Sequence, residues 1–125
     1  MTMKKTEEKC LCGASEHIVL SCSGASDVGQ ISDLVARKLS KEGVRKMNCL
    51  AVVGAGIDKS IRDFKTKNIL VIDGCPIDCG KRILEKNGLT DFSYLRVTDL
   101  GLKKGKTAVS DETIAAVYEE ASVIV

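Results

Sequence analysis

The chain has no tryptophan, and aromatic residues make up only 3% of its 125 positions. That scarcity removes the stacking platforms on which single-stranded nucleic acid is usually held. Charge of one sign is missing as well. A net charge of +2 is too small for a phosphate-binding face, so no nucleic-acid partner is expected. No apolar run approaches a membrane span, and the opening MTMKKTEEKC lacks the apolar core of a signal peptide. The expected location is therefore cytoplasmic, with no membrane contact.

What the chain does have is cysteine. Six cysteines are many for this length, and with a single histidine any soft-metal site would be mostly sulfur. In a reducing compartment such clusters more often mean metal or redox chemistry than structural disulfides. The apolar fraction of 44% and charged fraction of 29% are ordinary for a soluble globular protein. The length fits one domain with a real core.

Residues 69–84, ILVIDGCPIDCGKRIL, organise the rest. Ile69 to Ile72 are β-branched or apolar in an unbroken run, which reads as a strand buried on both faces. Asp73-Gly74 ends it. Pro76 suits the first position of a helix, where its missing N–H has no partner to lose. This predicts Cys75 as the helix N-cap and Cys79 on the first turn, with Ile77, Gly80 and Leu84 on the buried face. Both sulfurs would then face the positive end of the helix dipole, which favours the thiolate. Asn87-Gly88 is the matching stop.

Residues 1–16 read as a charged, mobile arm carrying a Cys10-x-Cys12 pair, which has no partner pair at knuckle spacing and is read as auxiliary. Residues 17–125 are expected to form one α/β domain. His17 to Ser21 is the first strand, with His17 at its far end as a surface residue. Cys22 follows, and Ser26 or Asp27 caps a helix whose inner face is Ile31, Leu34, Val35 and Leu39. Gly43 closes that helix.

The second strand has two readings. Centred on Leu50 to Val53, it leaves Cys49 at its start; placed at Val44 to Asn48, it puts Cys49 at its end. The second makes Leu50 to Gly56 an apolar turn, with Gly54-Ala55-Gly56 a turn that hugs a ligand. The third glycine of a dinucleotide fingerprint is missing. A short helix at 58–65 faces Ile61 and Phe64 inward, and Phe92 to Val97 is a fourth strand. Lys103, Lys104 and Lys106 then form a basic loop that reads as a solvated face or as an offset to thiolate charge. Ser110 caps a last helix with Ile114, Val117 and Tyr118 inside.

Strands alternating with helices point to a three-layer, Rossmann-like α/β sandwich of about four parallel strands with helices on both faces. Ligands of such sheets bind outside the carboxyl ends of the strands. Cys22, Cys75 and Cys79 fall there, and so does Cys49 on the shorter strand reading. Four thiolates suit tetrahedral Zn²⁺, and the same set suits an iron–sulfur cluster.

The runs CSGASDVGQISDLVARKL, MNCLAVVGAG, IDGCPIDCGKRILEKNG and LRVTDLGLKKGK resemble the DGC-domain family, named for the triplet at Asp73-Gly74-Cys75. The similarity extends from about Val19 onward. It implies zinc binding through Cys22, Cys49, Cys75 and Cys79, and it favours the shorter second strand. Cys10 and Cys12 lie outside the family pattern, and the family implies no established reaction.

Two functional classes follow. One is a zinc-binding protein whose metal is structural, regulatory or carried to a protein partner. The other is a thiol redox or sulfur-transfer enzyme, with Cys75 as nucleophile and Cys79 as resolving thiol, served by a sulfur donor. The lone His17 is misplaced as a base, which leaves Asp73 and Asp78 as substitutes.

Overall fold

The structure is a computed structural model and describes residues 16–125. The arm expected at 1–16, with Cys10 and Cys12, lies outside the described residues except for Glu16. Strands β1 (His17–Ser21), β2 (Lys46–Met47), β3 (Asn68–Asp73) and β4 (Ser93–Arg96) form one sheet in the order β2-β1-β3-β4. Every pairing is parallel. The helices are α1 (Asp27–Lys41), α2 (Leu50–Gly54), α3 (Asp58–Phe64), α4 (Cys79–Lys86) and α5 (Asp111–Ser122). A 3-10 turn, Val97–Leu100, follows β4.

Side chains on a strand alternate between faces, and the core divides accordingly. Val19, Leu70 and Ile72 face α1 and α5, where they meet Val28, Ile31, Val35, Leu39, Val117 and Ala121. Ile18, Leu20, Ile69 and Val71 face the other way, onto Val53 of α2, Ile61 and Phe64 of α3, and Leu84 of α4. The result is the expected three-layer α/β sandwich, with both faces of β1 and β3 buried. Ser26 caps α1 by accepting from Gly29 N at 3.1 Å, and Ser110 caps α5 by accepting from Thr113 N at 3.3 Å. Among the described residues no helix is long and apolar enough to cross a membrane.

The shorter second strand is the one formed. Cys49 sits just past it as the N-cap of α2. Leu50–Gly54 is a short helix rather than the expected turn, because Val53 has a core to enter. The Gly54–Gly56 segment makes the corner between α2 and α3. Gly54 faces Ile83, and Gly56 takes a left-handed φ of 71°.

The expected start of α4 is also corrected. Cys75 to Asp78 forms a turn closed by Asp78 N donating to Cys75 O at 3.1 Å, and the helix begins at Cys79. Pro76 opens this turn, for which its fixed φ is equally suited. Ile77 consequently points out of the core and is 54% exposed, while Gly80 and Leu84 are buried as expected.

Strand order positions the site. From β1 the chain moves to β2 on one side, then returns past β1 to β3 and β4 on the other. That reversal falls between the carboxyl ends of β1 and β3, the position at which parallel sheets place their ligands. Cys22 and Cys75 follow those two strands.

Candidate metal centre

Three glycines let the two loops meet. A Cβ on Gly74 would lie 2.7 Å from Gly29 N and 2.8 Å from Val28 C, and one on Gly29 would lie 3.0 Å from Gly24 N. The loop after β3, the first turn of α1 and the loop after β1 thus touch through backbone. Cys22 is tied in by its own N–H, which donates to Ile72 O at 2.9 Å, and by its carbonyl, which accepts from Ser32 Oγ. The middle residue of Asp73-Gly74-Cys75 is glycine because there is no room for a side chain.

Asp73 performs a different task. Its carboxylate is buried and accepts from Gly80 N at 2.8 Å and Lys81 N at 3.0 Å, two of the free amides at the start of α4. Gly80 is required beside it, since a Cβ there would stand 2.7 Å from Asp73 Oδ1. Tyr94 Oη lies 2.8 Å from Asp73 Oδ2 and 2.8 Å from Asp78 Oδ1, so its single proton serves the two carboxylates in turn. Burial and these two carboxylates push the phenol pKa well up. Arg96 then clamps Asp78 through Nε at 2.8 Å and Nη2 at 2.7 Å, and the guanidinium holds that carboxyl below the usual range. Neither aspartate is a free base, because both are held by fixed donors.

The helix-dipole expectation fails for Cys79. Burial pushes its thiol pKa up, and Cys22, Asp73 and Cys75 add to the shift, with Lys104 opposing it. The positive end of α4 is already answered by the Asp73 carboxylate, so little of its field is left for sulfur. The same interactions show that Cys22, Cys75 and Cys79 share one electrostatic neighbourhood. Lys104 Nζ lies 3.6 Å from Cys75 Sγ.

Cys49 occupies the same edge of the sheet, beyond β2. It is exposed in the wall of an open cavity of about 380 Å³, together with Ser21, Ser23, Asp33, Arg37 and Ile83. Cys22 and Cys75 are thus near enough for their charge to act on Cys79, and Cys49 lies on the neighbouring strand end. Among the described residues no three His, Cys, Asp or Glu side chains converge as a ready-made metal shell. His17 lies exposed at the amino edge, away from the cysteines, as read from the sequence.

Sequence reasoning missed Tyr94 and Arg96, which hold the turn between Cys75 and Cys79, and saw in Asp27 a helix cap without its hold on the basic loop. A tyrosine and an arginine alternating on a short strand carry no local sign of this role.

The DGC domain family matches residues 18–121 of the chain. The chain is also similar to the anaerobic and virulence modulator AnvM of Pseudomonas aeruginosa, with 33% identity over 88 residues. That alignment spans 70% of this chain and 67% of the relative. No solved structure matches. The chain belongs to the DGC-domain family.

Proposed function

We propose that this protein binds one zinc ion through Cys22, Cys49, Cys75 and Cys79 at the carboxyl edge of the sheet. The observation that carries the reading is the meeting of the Cys22 and Cys75 loops past the carboxyl ends of β1 and β3, with Cys79 close enough to feel both sulfurs. Neighbouring sulfurs that push the Cys79 thiol pKa up are a donor set whose repulsion a cation would relieve. Soft thiolates select zinc over hard cations. The ligands come from three loops and are not a closed shell, so the shell closes by side-chain rotation when metal enters. Cys49, exposed at a helix N-cap, has the freedom to turn inward.

A four-sulfur shell has no open position for water, which supports a binding or regulatory role over hydrolytic chemistry. The description of the relative AnvM as a modulator agrees with a regulatory role of this kind. A second reading, thiol exchange with Cys75 attacking and Cys79 resolving, draws support from the lysine placed beside Cys75 alone. Against it stands the lack of any free base near the pair among the described residues.

Metal analysis of the purified protein, with zinc titration of the four Cys→Ser variants, tests the proposal. The expected result is a colourless protein with one zinc per chain, and a large loss of affinity in each variant. Brown protein containing iron would replace zinc with an iron–sulfur cluster. Full zinc affinity in all four variants would move the site elsewhere.

A further inference from the structure

The basic loop after β4 is held in place by a residue from the opposite end of the sequence. Asp27 Oδ1 accepts from Gly105 N at 2.9 Å, and Asp27 Oδ2 accepts from Thr107 N at 3.0 Å. These two amides draw the Asp27 carboxyl below its usual range. The loop is stiff in itself. Lys106 N donates to Lys103 O at 3.1 Å, Thr107 Oγ1 donates to the same carbonyl at 2.7 Å, and Gly105 takes the left-handed φ of 84° that the turn needs. Lys104 is on this turn, and its ammonium lies 3.6 Å from Cys75 Sγ. A lysine side chain free in solvent has no reason to settle on a sulfur. Here its backbone is fixed from both sides.

We infer that Lys104 is a positioning residue for the Cys75 sulfur, supplying its counter-charge, and that Asp27 is the clamp that aims it. An ammonium at this distance stabilises negative sulfur by Coulomb attraction and a charge-assisted hydrogen bond. Four thiolates around Zn²⁺ leave two net negative charges, and Lys104 offsets one of them. The same cation makes the approach to Cys75 favourable for anions. The metal half of this inference rests on the proposed zinc site, whereas the effect on anionic approach does not.

Two measurements separate the halves. In metal-free protein, Cys75 is alkylated with anionic iodoacetate and with neutral iodoacetamide, and the modified peptide is quantified. Sulfur displaces iodide in both reactions, so the ratio of the two rates cancels the reactivity of the sulfur itself and leaves the steering of charge. Lys104→Gln should lower the iodoacetate-to-iodoacetamide ratio roughly fivefold, about the effect of one unit charge at contact distance in water. Asp27→Asn should lower it in part, Lys104→Arg should preserve it, and Lys103→Gln should leave it near the parent value. An unchanged ratio in Lys104→Gln, or an equal fall in Lys103→Gln, overturns the inference. In the second measurement Lys104→Gln should weaken zinc binding about tenfold, the low end for loss of an outer partner. If the parent binds zinc and this variant binds it equally well, the counter-charge role toward metal is overturned. If the parent binds none, the zinc reading falls and the alkylation ratio alone decides the role of Lys104.

Discussion

Arg96 grips Asp78 with two nitrogens, Nε at 2.8 Å from one carboxylate oxygen and Nη2 at 2.7 Å from the other. Asp78 is also the one non-glycine among the described residues with a left-handed backbone, at φ 59°. The two facts belong together. A left-handed residue with a Cβ costs about 1 kcal/mol or more and persists where its surroundings fix it. Here the arginine fork holds the residue that turns the chain from Cys75 into the helix beginning at Cys79.

This relationship predicts an order of stabilities. Asp78→Ala loses the ion pair and keeps the backbone strain, whereas Asp78→Gly loses the pair and releases the strain. The glycine variant should be about 1 kcal/mol more stable than the alanine variant, although glycine costs stability at most other positions. Urea unfolding of both variants measures this. An alanine variant as stable as the glycine variant would mean that the left-handed turn is not retained.

Gly74 should be intolerant of even one methyl group. Its added Cβ would meet the backbone of Val28 and Gly29 at 2.8 and 2.7 Å, and backbone cannot rotate aside as a side chain can. Gly74→Ala is expected to cost about 1–3 kcal/mol, the usual range for overpacking. Gly54→Ala makes the contrast, because Ile83 is 3.8 Å away and the residue is helical. It should be neutral or stabilising by about 0.5–1 kcal/mol. Thermal unfolding of the pair tests the packing of the two cysteine loops without altering any sulfur.

At the amino edge of the sheet, Arg45 is 2% exposed and has carbonyl oxygens for partners. Its Nη1 donates to Ile18 O at 3.0 Å and Asn68 O at 3.1 Å, and its Nη2 donates to Ile124 O at 3.2 Å. It therefore ties β1, β3 and the segment after α5 together. Arg45→Met removes these charged hydrogen bonds and leaves the carbonyls without donors, at a cost of about 3 kcal/mol. Hydrogen exchange should show the largest loss of protection in the segment after α5. Uniform loss through the sheet, with that segment unchanged, would contradict the link.

The readable parts of this chain were those whose signals are local. The apolar run Ile69 to Ile72, the face repeating from Ile31 to Leu39, and the caps at Ser26 and Ser110 all depend on residues within a few positions of one another. They gave the sheet and the two capped helices. The start of α4 was misread because Pro76 at the first position of a helix and Pro76 at the second position of a turn look alike. What separates them is Arg96, 18 residues downstream of Asp78. Cys79 was misjudged for a related reason. Its dipole environment depends on Asp73, which reads as the end of a strand yet caps the helix from outside. Arg45 sits among exposed charges in the sequence, and only the assembled sheet edge shows what it holds.

The metal should not be what folds the domain. In small zinc fingers the ion supplies about 10–16 kcal/mol of apparent binding energy that is also folding energy. This chain already has two apolar cores on a four-stranded sheet, and both exist without the sulfurs as their main content. Cys75→Ser and Cys79→Ser should therefore remain folded at room temperature, as should the chelator-treated parent. Circular dichroism and thermal unfolding check this, and an unfolded variant would make the ion a structural staple.

The most direct measurement of the zinc reading is X-ray absorption at the zinc edge of the metal-loaded protein. Four sulfur neighbours at about 2.3 Å are predicted, falling to three in Cys49→Ser with one lighter neighbour in place of the lost sulfur. A shell dominated by nitrogen or oxygen in the parent, or one unchanged by loss of Cys49, would contradict the four-cysteine site.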